Sequence, residues 1–180
     1  MLLMRAYMKK TKKLALAAIF SALGVVILLL GSIITVLDLT AVALASMLIM
    51  IAVIEVGGAY PYLIWLVTGV LSMLLLPDKF GALVYLVFGG VYPIFKAMYE
   101  RLHPVVAWVL KFSTFNTMLV LMILIGSFVM GLTDTGLAFT LPVFALCNFT
   151  FFIYDIATTH LITLYLVKLR RVLGLKNFFK

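Results

Sequence analysis

The residues of this chain with the chemistry to cut a bond, move a proton or hold a metal are six carboxylates, two histidines and one cysteine. Their spacing assembles none of these reactions. Neither His103, beside Pro104, nor His160 has a Cys or a carboxylate three or four residues further on, the spacing that sets two ligands on one helical face. Asp155 and His160 are five apart and turn away from each other on a helix. Cys147 stands alone, so neither a disulfide nor a thiol relay is implied, and a small apolar packing role accounts for it. No G-x-S-x-G elbow, H-E-x-x-H pair or phosphate loop occurs. A hydrolase would need two acids, or a Ser with a base, at matched depth, and no such set is visible. The reading is a protein that is not an enzyme, with no cofactor and no metal.

The elements that would position these residues follow from composition. Of 180 residues 66% are hydrophobic and 11% charged, more apolar surface than a soluble domain of this size can hide, so the solvent is lipid. Residues 14–37 carry no charge, and as a helix they measure about 36 Å against a hydrocarbon core of about 30 Å. A signal peptide has a shorter core, and the only small-residue cleavage pattern, Ala15 to Ala22, lies at the wrong end of the run. Further apolar runs cover 39–54, 59–76, 81–95, 112–131 and 141–167. Turn-forming breaks separate them: "DLT" at Asp38, "EVGG" at Glu55, "PDKFG" at Pro77 and "LTDTG" at Leu132. The runs lack the alternation of an outer-membrane barrel. The expectation is all-α: one compact bundle of six transmembrane helices over 14–167, with a basic leader (1–13) and a basic tail (168–180).

Short loops rich in Lys and Arg stay on the cytoplasmic side. Arg5, Lys9, Lys10, Lys12 and Lys13 precede the first span, and Lys168, Arg170, Arg171, Lys176 and Lys180 follow the last. Lys96, Arg101 and Lys111 flank the connection between the fourth and fifth spans, which falls on the same side. Only Lys79 of the 14 basic residues is left outside, so both termini are expected in the cytoplasm of a bacterium, below its inner membrane. The net charge of +8 then reflects this asymmetry and a lipid bilayer as partner, not nucleic acid.

Small residues four apart, Ala18 with Ala22 and Ala41 with Ala45, let another helix approach closely in lipid. Packing between the first two spans and docking of another subunit both fit that spacing. With its length, six spans, "KKLALAAIFSALGVVILLL" and "LDLTAVALASMLIM", the chain resembles the substrate-capture (S) subunits of energy-coupling-factor (ECF) vitamin transporters. The detailed similarity covers about the first 80 residues. It implies that Ala18 and Ala22 face a transmembrane coupling subunit driven by two cytoplasmic ATPases, while a small-molecule micronutrient binds near the outer surface. A lid from "GSIITVLD" requires the first helix to end near Gly31; otherwise the usual lid is missing. The alternative from another class is a non-transporting membrane scaffold of the MreD kind, from cell-shape machinery.

Polar residues in the outer half separate these two, because a scaffold has no use for them there. Asn148 lies about 9 Å below the outer end of the last span, with Tyr85 at similar depth. Together with Asp38, Asp78 and Lys79 they form the expected ligand site. Asp155, about 20 Å deep, needs a partner, since an unpaired carboxylate in the bilayer core is costly. Lys96 is the first candidate for this buried ion pair and Lys111 the second. The identity of the ligand is not legible, because 14 Phe and 8 Tyr are ordinary in a lipid-facing bundle.

Overall fold

The computed structural model describes residues 2–130 and 141–169. Among the described residues the regular structure is helical throughout: α1 (Leu2–Ile33), α2 (Asp38–Glu55), α3 (Tyr60–Leu75), α4 (Lys79–Val84), α5 (Tyr92–Tyr99), α6 (Pro104–Met130) and α7 (Leu141–Leu164). Five stretches are long and apolar enough to cross a membrane: Lys10–Ile33, Asp38–Glu55, Lys79–Tyr99, Pro104–Gly126 and Leu141–Lys168. Between them α3 has 16 residues, about 24 Å of helix, short of a hydrocarbon core on its own. Large apolar side chains such as Leu14, Leu30, Leu74, Val109 and Leu146 are exposed, which suits lipid and not water as their surroundings.

Two boundaries differ from the sequence expectation. With no Gly or Pro before Gly24, the helix runs back through the basic leader to Leu2. And α6 begins at Pro104 instead of Phe112, because Lys111, which ends the apolar run by charge, is buried inside the helix.

Residues 1–135 and 136–180 form two compact units. In the first, α1 packs along α2 and α3, and the core is built from residues such as Ala17, Leu28, Ala45, Ile49, Ile64 and Tyr85. The α1–α2 connection is tight. Ile34 is extended, residues 35–37 make one 3-10 turn, and Asp38 already opens α2. Helix α1 ends at Ile33, two residues beyond Gly31, and leaves four residues, 34–37, between it and α2. Gly31 serves packing, because a Cβ there would run into that of Ala41, and its bare backbone lets α1 and α2 meet. At the opposite end Gly57 and Gly58, with φ of +64° and +63°, turn α2 into α3.

A π-turn over Tyr85–Gly89 joins α4 to α5 in one rod. The Gly90 amide bonds to the Tyr85 carbonyl (2.8 Å), one residue further back than in an α-helix, and the Trp65 indole N–H donates to the Leu86 carbonyl (2.9 Å). The Trp65 ring occupies the place a Gly90 side chain would need.

Gly31→Leu should force α1 and α2 apart at their closest approach. We expect a loss of about 1–3 kcal/mol, read as a lower thermal midpoint in detergent, with Leu30→Ala on the exposed face as the neutral control.

Candidate functional site

Two of the expected ligand residues, Asp38 and Asp78, meet at the end of the first unit where α1 turns into α2 and α3 into α4. Asp38, the first residue of α2, is 5% exposed, and its carboxyl lies against that of Asp78. Asp78 caps α4 by accepting the Phe80 amide (3.0 Å). Gly81, next along α4, allows this closeness: a Cβ there would stand 3.3 Å from Asp38 Oδ1. Lys79 turns elsewhere, its Nζ donating to the Leu76 carbonyl (2.5 Å).

Tyr85 lies deeper, at 1% exposure, its hydroxyl bonded to that of Thr68 on α3. Thr68 in turn donates to the Ser21 carbonyl of α1 (3.3 Å). Gly24 makes room for this contact, since a Cβ there would press on the Thr68 side chain. One turn along α3, Ser72 is fully buried, and its hydroxyl has no hydrogen-bond partner. Sequence reasoning passed over Thr68 and Ser72. The available signal was two hydroxyl residues four apart in "YLIWLVTGVLSMLLL", which places both on one face.

At the far end of the same rod a charge cluster closes the α5–α6 connection. The buried Lys96 and Lys111 ammoniums approach one oxygen of Glu100 at 3.5 and 3.7 Å. Trp108 lies under the Lys111 ammonium, 5.1 Å from ring centroid to Nζ. The Tyr99 and Thr114 hydroxyls (2.8 Å) tie α5 to α6 beside them. Glu100, 40% exposed, was absent from the expected ion pair.

In the second unit, Phe151, Asp155 and Thr158 form the buried stripe of α7. The Asn148 amide is half-buried and donates to the Phe144 carbonyl (2.9 Å), the next turn of its own helix. Asp155 is 2% exposed, and its backbone carbonyl accepts the Thr158 and Thr159 hydroxyls. The two small-residue pairs differ in burial: Ala41 and Ala45 are buried on α2, whereas Ala18 and Ala22 on α1 are exposed, along with Ala15. The buried face of α1 runs instead through Ala17, Ser21, Gly24, Val25 and Leu28.

Five helices apolar enough to cross a membrane, with an acidic cluster at one end of the first unit and a basic one at the other, fit a helical membrane protein. Comparison with protein-family models, with characterised proteins and with solved structures finds no match.

The expected Asp155–Lys96 pair is open to a double-mutant cycle. Asp155→Ala should cost about 3 kcal/mol by removing a buried carboxylate, and adding Lys96→Met should restore most of the loss. A double variant as unstable as the sum of its parts would mean that the two residues do not interact.

Proposed function

We propose that this chain is the substrate-capture subunit of an ECF-type importer for a vitamin or related small molecule. In this reading it sits in a bacterial cytoplasmic membrane with both termini inside. It captures ligand at the outer face and docks on a coupling subunit driven by two ATPases. The observation that carries the reading is the outward face of α1. Ala15, Ala18 and Ala22 form an uncovered strip of small side chains, while the internal helix contacts use a separate set of residues. A strip of small residues lets a second helix come within van der Waals reach of the backbone, which is how helices associate in lipid without a hydrophobic driving force. The acids at the other end supply a polar mouth for ligand, with Asp38, Asp78 and Lys79 on adjoining turns.

The scaffold reading has one observation on its side, the four-residue connection at 34–37, too short for the lid that the resemblance implies. The two readings part on ligand binding and on the use of α1.

Ala18→Leu or Ala22→Leu should abolish co-purification with a coupling subunit and stop uptake, while ligand binding by the isolated chain stays within about two-fold. Joint loss of binding and assembly would mark both alanines as fold residues and sink the docking surface. Unchanged assembly would do the same.

A further inference from the structure

The rod formed by α4 and α5 is held in register from outside itself. In the Tyr85–Gly89 turn the Gly90 amide reaches back to the Tyr85 carbonyl (2.8 Å). The Leu86 carbonyl, which an α-helix would give to that amide, takes the Trp65 indole N–H instead (2.9 Å). In the α register the rod would serve both carbonyls by itself, Tyr85 from Gly89 and Leu86 from Gly90. The π form therefore depends on a donor from α3. Little in the turn separates the two forms: residues 89 and 90 carry no side chain, and Pro93 has no N–H for the Gly89 carbonyl, so α5 starts afresh beyond the joint.

The other contacts that fix the rod also come from neighbouring helices. Three residues along α3 from Trp65, Thr68 bonds to the Tyr85 hydroxyl, and Leu86 packs on Gly69. Val42 of α2 fills the place a Gly89 side chain would take, as the Trp65 ring does at Gly90. Beyond the joint, α5 is tied to α6 by Glu100 with Lys111 (3.7 Å) and by the Tyr99 and Thr114 hydroxyls (2.8 Å).

We infer that the Tyr85–Gly89 turn is a register switch, held in its π form by the Trp65 N–H and returning to α when the Gly90 amide takes the Leu86 carbonyl. One residue of register is about 100° of helix, so Tyr99 and Glu100 turn away from α6 while α4 stays packed on α2 and α3. Movement of α3 along the rod is the trigger, because it draws the indole off the carbonyl. The two ends of the first unit are linked in this way: a shift of α3 against α4 at the acidic end is passed to the Glu100 cluster at the basic one. The switch stands apart from the capture reading and would serve a transporter or a scaffold alike.

The test is a pair of distances in the full chain in detergent, measured by electron paramagnetic resonance between spin labels on introduced cysteines. One label replaces the exposed Met98 of α5 and the other the exposed Leu14 of α1 or Leu63 of α3, with Cys147→Ser removing the native thiol. Two reference points keep a rotation of α5 from passing unseen. Trp65→Phe removes the donor, and Gly90→Ala evicts the indole ring and favours the α form. Each should add a second, discrete distance, displaced by up to about 8 Å, the chord of that turn at the radius of a helical side chain. Its share should rise about five-fold over the native chain, the worth of one net hydrogen bond. Leu66→Phe, on the exposed side of α3, should leave the native distances alone. Native distances in both folded variants, or mere broadening with no second distance, overturn the switch. If neither variant folds, benzothienylalanine at position 65, which keeps the ring and loses only the N–H, decides by the same criterion.

Discussion

Inside lipid there is no water to take up a stray hydrogen bond, and every polar group drawn into the bundle has to be satisfied by the chain itself. The backbone meets this condition by being helical. Side chains meet it by turning back on their own helices: Ser32, Ser46, Thr117, Thr150 and Thr163 all donate to a carbonyl three or four residues earlier, as do the amides of Asn116 and Asn148. Where the π-turn leaves the Leu86 carbonyl without its α-helical amide, the Trp65 indole crosses from α3 to meet it. Against that background a group left unsatisfied carries information. Ser72 is one such group.

The two ends of the first unit solve opposite electrostatic problems. At one, two buried ammoniums share a half-exposed carboxylate and one of them rests on an indole ring, so positive charge is held within the chain. At the other, two carboxyls meet with no described cation between them. The Lys96–Glu100–Lys111 cluster ties α5 to α6 at their junction.

The helices were legible because long charge-free runs separated by Gly, Pro and Asp admit little else. The "EVGG" and "PDKFG" breaks fall where the helices turn. Charge misled the reading where a charged residue is buried: Lys111 looked like a helix boundary and is instead an interior residue of α6. The π-turn was hidden because it depends on Trp65, 21 residues away from its acceptor, although "FGGVYP" marks the irregular backbone. Asp38 and Asp78 drew attention by sequence as loop residues, but their mutual contact follows from Gly81 and from the short α1–α2 turn, neither of which a pattern reveals. Ser72 was invisible for a related reason, since an unpartnered hydroxyl is known only once its neighbours are in place. "LTDTG" and the basic tail beyond Leu169 lie outside the described residues.

The central claim is that the acidic end of this bundle holds a small molecule. Mass spectrometry of small molecules carried through gentle purification tests it most directly, with the native chain and a folded Asp38→Asn variant run side by side. The account predicts one small molecule retained at about one per chain by the native protein and lost from the variant. A folded native chain that retains nothing, or a variant that retains the same molecule equally well, would contradict it.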